Sequence, residues 1–169
     1  MEAGGIDSLR MIENEELDLA VTNYDDSFSP NLHYRKLFKS EACFCTYPAH
    51  PLAQKKYVDT KDIANEPLIL LNGGFFVNRI IYQNFQQALI APKVILHSSQ
   101  LHTVKNLIIN QVASSFLMRQ SITAADTIVP ISLKKPLFIN SGIVTKRGRQ
   151  IYGDEQKLID FICDNKPLG

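Results

Sequence analysis

No stretch of this 169-residue chain approaches the roughly 20 consecutive apolar residues that a membrane-spanning helix needs, which excludes a helical membrane protein. The opening Met1-Glu2-Ala3-Gly4-Gly5 lacks the basic-then-apolar pattern of a secretory signal, so a cytoplasmic protein is expected. Excess charge is missing too: 18 basic residues stand against 17 acidic ones, for a net charge of +1. A domain that grips nucleic-acid phosphates carries a basic surplus or stripe. The one basic cluster, Lys146-Arg147-Gly148-Arg149, follows a strand-like segment and reads as a solvated turn. Direct DNA contact by this chain is therefore not expected.

Cysteine is scarce. Cys43, Cys45 and Cys163 are an odd number without framework spacing, which argues for reduced thiols rather than a disulfide scaffold. Cys43 and Cys45 share a face if their segment is a strand, yet one intervening residue is not metal-knuckle spacing. A buried apolar role is preferred over redox chemistry or metal ligation, and no metal is expected. Motifs of catalysis are also absent. None of His33, His50, His97 and His102 stands in a His-Glu-x-x-His motif, and there is no Gly-x-Ser-x-Gly. Neither a phosphate loop nor a Gly-x-Gly-x-x-Gly fingerprint occurs, so no cofactor is expected. A non-enzymatic role is preferred. An active site assembled from sequence-distant residues stays open until coordinates decide it.

What is present is an ordinary folded composition, 45% hydrophobic and 21% charged, with length enough for one medium domain or two small lobes. Ile6, Leu9 and Ile12 predict a short amphipathic helix with Asp7 or Ser8 as its cap. Strands are predicted at 17–22, 37–47, 68–71, 94–96, 115–118, 128–133 and 137–144. Helical spacing marks Val77, Ile80, Ile81, Phe85 and Leu89, then Leu101, Val104, Leu107 and Ile108, which Ser98 or Ser99 can cap. A last helix carries Leu158, Ile159 and Ile162, with Asp154 as its cap. Short apolar strands alternating with helices imply an α/β protein with a parallel, two-faced sheet.

In such sheets ligands sit at the carboxyl ends of strands, where helix N-termini point. That directs attention to Thr22-Asn23, to Asn72-Gly73-Gly74-Phe75-Phe76 and to Ser98-Ser99 with His102. Glycines between a buried strand and a helix let a ligand approach the backbone, whose free N–H groups favour an anion. The plainer alternative for Asn72-Gly73-Gly74 is a tight turn. For the serines it is N-capping, and for His102 an exposed surface position.

The order of segments resembles the effector-binding domain of LysR-type transcriptional regulators. The resemblance rests on Glu13-Asn14-Glu15-Glu16-Leu17-Asp18-Leu19-Ala20-Val21, on Leu37-Phe38-Lys39-Ser40-Glu41 followed by His50-Pro51-Leu52-Ala53, and on Asp62-Ile63-Ala64-Asn65-Glu66-Pro67-Leu68-Ile69. It covers essentially the whole chain, and His-Pro-Leu-Ala in this context is its most specific piece. It implies a two-lobe, periplasmic-binding-protein-like (type 2) fold with two crossing strands. Residues 1–43 plus 130–169 would form lobe one and 44–129 lobe two, with a small, anionic effector between them. The ligand residues so implied are Thr22, Asn23, Asn72, Gly73, Gly74, Phe75, Ser98, Ser99 and His102. DNA would be reached only through an N-terminal helix-turn-helix that this sequence does not contain.

Three departures accompany the resemblance. The helix-turn-helix is missing, and the opening strand and helix of lobe one are not found. The family's glycine- and proline-bearing stretch after the second lobe-two helix is replaced by Gln111-Val112-Ala113-Ser114-Ser115-Phe116-Leu117-Met118. With the opening unit absent, the strand at 17–22 would lie uncovered, so a homo-oligomer is expected. A free-standing solute-binding protein and an enzyme on the same fold are the rival readings.

Overall fold

The computed structural model describes residues 4–25 and 28–165, in two compact units. Unit 1 comprises Met1–Ser40 and Ile139–Gly169, and unit 2 comprises Glu41–Phe138. Two strands run through the boundaries, β2 (Leu32–Thr46) and β8 (Leu137–Lys146). The breaks fall at 40/41 and 138/139, against the expected 43/44 and 129/130. The second differs more because β7 (Val129–Leu133) pairs with β2, and also with β3 (Tyr57–Val58).

Unit 1 holds α1 (Gly5–Glu13), β1 (Leu19–Tyr24) and α4 (Gly153–Asp164), with its parts of β2 and β8. α1 turns Leu9 and Ile12 inward at the spacing of one helical face, and packs on β1. β1 and β8 are antiparallel, from Leu19 opposite Thr145 to Tyr24 opposite Asn140. Leu32, Ile139, Ile143, Val144 and Ile159 complete an aliphatic core. A Cβ on Gly142 would stand 2.3 Å from the Arg35 carbonyl oxygen, so glycine is what allows β8 to approach β2 there. The basic cluster after β8 is used within the unit: Lys146 pairs with Glu15, and Arg149 bridges Asp18 at 2.8 Å and Glu155 at 2.6 Å.

Unit 2 holds β3, β4 (Leu68–Leu71), α2 (Phe76–Gln87), β5 (Val94–Ser98), α3 (Leu101–Ile109), β6 (Ser114–Met118) and β7. β4 is buried along its full length and lies parallel to both β5 and β6. Phe116 on β6 meets Phe44 and Phe85 edge to face, at centroid distances of 5.7 and 6.3 Å. His50, from the His-Pro-Leu-Ala segment, is a buried brace. Its Nδ1 accepts the Leu52 N–H at 3.1 Å, capping the 3-10 turn Pro51–Gln54, and its Nε2 lies 3.1 Å from the Glu66 carboxylate.

Several expectations are corrected. The sheet is mixed rather than parallel: β1 with β8, and β2 with β6 and β7, run antiparallel. Apolar strand runs read the same in parallel and antiparallel pairs, so the sequence pattern did not distinguish the two directions. β2 begins at Leu32, because a half-exposed strand tolerates Arg35 and Lys36 facing out. The N-caps lie elsewhere as well. Gly4, Gln100 and Tyr152 hold those positions, rather than Asp7 or Ser8, Ser98 or Ser99, and Asp154. β1 lies at the end of the strand order, with Val21 54% exposed.

Candidate functional site

The apolar run Leu68-Ile69-Leu70-Leu71 buries β4, and its parallel register with β5 sets Leu71 beside Ser98. Both chains leave the sheet at the same level. The Asn72 N–H donates to the Ser98 carbonyl at 3.0 Å, which ties the two exits together. Asn72, Gly73, Gly74 and Phe75 therefore lie against Ser98 and Ser99 in one turn cluster of unit 2. Gly73 is exposed, and a Cβ there would meet no heavy atom within 4 Å. Space beside this backbone is open.

Each exit leads into a helix. Phe75 is the N-cap of α2 and Gln100 that of α3, and neither side chain makes a capping hydrogen bond. First-turn N–H groups are left without a helical partner, and the aligned peptide dipoles add partial positive charge at the same place. Two such termini side by side suit an anion. The Ser98 hydroxyl closes a turn over Gln100 instead, accepting its N–H at 3.1 Å and donating to its carbonyl at 3.3 Å. Ser99 is exposed. His102 is exposed one residue into α3, with Nε2 3.0 Å from the Asn106 amide nitrogen, a contact directed along the helix.

Thr22 and Asn23 belong to unit 1 and lie within β1, opposite Gly142 and Ser141, rather than at a strand-to-helix junction. The Asn23 side-chain oxygen accepts the Ser141 hydroxyl at 2.5 Å. Sequence reasoning missed Asn78, on the second turn-forming position after Phe76. It is buried, and its Oδ1 has no hydrogen-bond partner. The signal was there: a polar residue on the face that carries Val77, Ile81 and Phe85 inward.

Two further features bear on chemistry. Burial pushes the Cys43 thiol up to about 12 and Cys45 higher still, so neither supplies a thiolate at neutral pH. The Lys105 ammonium, 2.7 Å away, together with the Thr123 N–H holds the Asp126 carboxyl down at about 2, which tethers the loop after β6 to α3. Among the described residues, no helix is long and apolar enough to cross a membrane.

The chain matches the family model described as the LysR substrate binding domain over residues 1–165. It is 24% identical over 165 residues to the transcriptional dual regulator GltC of Bacillus subtilis, covering 91% of this chain and 52% of that protein. It is 29% identical over 109 residues to the malolactic fermentation system transcriptional activator of Lactococcus lactis, covering 62% of this chain and 36% of that protein. The chain thus spans about half the length of these relatives or less, and both are named as regulators rather than enzymes. In structure it is similar to the effector-binding domain of QuiR in complex with shikimate, at TM-score 0.80 and 20% identity, over 96% of this chain and 78% of that one. The regulatory domain of Synechocystis CcmR in complex with 2-PG gives TM-score 0.85 and 16% identity, over 96% and 80%. The shared fold is the periplasmic-binding-protein-like type 2 fold of LysR effector domains.

Proposed function

The chain belongs to the LysR substrate-binding domain family, and on that premise we propose that it is the sensing part of a cytoplasmic transcriptional regulator. It binds a small anionic metabolite against the 72–75 and 98–102 turns of unit 2. The observation that carries this reading is the pair of adjacent helix N-termini without side-chain caps, joined by the Asn72 to Ser98 hydrogen bond. The QuiR and CcmR domains are named as complexes with shikimate and 2-PG, which supports a small ligand. A balanced net charge of +1 agrees with DNA contact by a separate helix-turn-helix. The effector acts by binding one state of the domain more tightly than another, and a homo-oligomer carries that change to DNA.

A thermal-shift screen beginning with shikimate and 2-PG, then other small organic anions and their neutral analogues, identifies the effector by the stability it adds. Gly73→Leu then tests the place. The new side chain enters open space, so the fold is retained, while close approach to the backbone is lost. Effector affinity is expected to fall by about ten-fold or more, roughly 1.4 kcal/mol. Unchanged affinity in calorimetry overturns the assignment.

A further inference from the structure

We infer a second ligand site in unit 2, a pocket for a small hydroxylated carboxylic acid, on grounds independent of the reading above. The pocket has a volume of about 360 Å³ and is lined on its polar side by Asp59, Thr60, Asn84, Gln87, Lys134 and Lys135. It lies at the opposite end of α2 from the 72–75 turn, roughly 18 Å along a twelve-residue helix. That separation makes it a different site.

Its walls are set by the fold. Val58 and Leu133 are register partners in the parallel pair of β3 and β7, and both line the floor. The Lys134 N–H donates to the Val58 carbonyl at 2.8 Å, which holds the two lysines at the mouth. Asn84 and Gln87, three residues apart on α2, present their amides on one face. The buried Thr60 hydroxyl donates to the Asn84 Oδ1 at 2.6 Å. That bond fixes the amide and leaves its NH₂ as a donor.

The charges point to the ligand class. Lys134 approaches Asp59 at a long 3.9 Å, both of them well exposed, and its charge also reaches Asp62, which Lys55 pairs at 2.8 Å; Lys135 makes no ion pair among the described residues. With Asp62 paired to Lys55, two ammonium groups stand against the Asp59 carboxylate and favour an anion of low charge, as a second negative group would meet Asp59. Planar amides and a carboxylate supply donors and acceptors in fixed geometry, the combination that reads hydroxyl groups. The carboxylate of such an acid engages the lysines, its hydroxyls engage Asn84, Gln87 and Asp59, and its carbon backbone lies on Val58 and Leu133.

Gluconate serves as the probe, added to the isotope-labelled 169-residue chain at fixed ionic strength. Acetate tests charge alone and glucose tests hydroxyls alone. The expected result is saturable movement of the amide resonances of Asn84, Gln87, Lys134 and Lys135, with gluconate bound about ten-fold more tightly than either control. The double variant Lys134→Ala, Lys135→Ala alters exposed positions and leaves the unfolding transition in place, but weakens gluconate about ten-fold. Absence of saturation, equal response to acetate, movement confined to the 72–75 and 98–102 turns, or unaltered binding by the double variant each overturns the proposal.

Discussion

Unit 2 surrounds a fully buried strand, β4, with parallel neighbours and an edge-to-face cluster of Phe44, Phe85 and Phe116. Unit 1 instead closes a mainly aliphatic core under an antiparallel pair, with one stacked ring pair, Tyr24 on Tyr34, and ion pairs from Lys146 and Arg149 along its rim. The difference concerns ligands as well as packing. Strands that run parallel and are followed by helices deliver helix N-termini to one edge of the sheet. Antiparallel strands do not. Asn72 to Phe75 and Ser98 to Ser99 accordingly meet in one cluster, while Thr22 and Asn23 occupy strand positions, Asn23 spending its side-chain oxygen on Ser141.

The comparison is broken most strongly at Phe116. Phe116→Ala removes the ring that touches both other phenylalanines, and the cavity term adds to the lost burial. A loss of about 3–5 kcal/mol is expected in denaturant unfolding. A loss within the range of surface substitutions would show that the aromatic cluster does not hold unit 2 together. The corresponding test of unit 1 is Gly142→Ala. The new methyl group would lie 2.3 Å from the Arg35 carbonyl oxygen, and the atoms it meets, on Arg35 and Lys36, are all backbone. Strands must separate to admit it, at a cost of about 1–3 kcal/mol. Unaltered stability would mean that β2 and β8 have more freedom there than their spacing indicates.

The smallest effect sharpens the comparison in the other direction. Leu89 after α2, and Glu15 after α1, hold left-handed backbone at φ 57° and 63°, where glycine is the unstrained residue. Leu89 is 94% exposed and contributes little packing. Leu89→Gly is therefore expected to stabilise the protein by about 1 kcal/mol, relief of the left-handed strain outweighing the added freedom of the unfolded chain. Glu15→Gly gains less, because it also removes the partner of Lys146. Thermal unfolding of the two variants should rank them in that order. Equal shifts would show that the Glu15 ion pair contributes nothing, the common result for exposed pairs.

Much of this molecule was legible in the chain. The four-residue apolar run at Leu68, between Pro67 and Asn72-Gly73-Gly74, read as a buried strand by its length and flanks. The spacing of Val77, Ile81 and Phe85 could only be a helix face, and the turn between them followed. The order of segments and the His-Pro-Leu-Ala context resembled the family that the match over residues 1–165 shows. Element ends were less legible. Ser98, Ser99 and Asp154 are good caps by type, yet Gln100 and Tyr152 stand at the caps. Capping preference is worth only about 1 kcal/mol, so it does not by itself decide where a helix begins.

Local pattern, then, determined which segments are helix or strand and which faces are buried, because hydrophobic periodicity is written residue by residue. Tertiary structure alone decided strand direction, since an apolar run reads the same in a parallel or an antiparallel pair. It decided that Lys134 and Lys135 line one pocket with Asn84, which lies 50 positions before Lys134 in the chain. It also decided that β1 lies at the end of the strand order. Each of these depends on which segments become neighbours, and neighbours are chosen by the free energy of the whole fold rather than by any stretch of it.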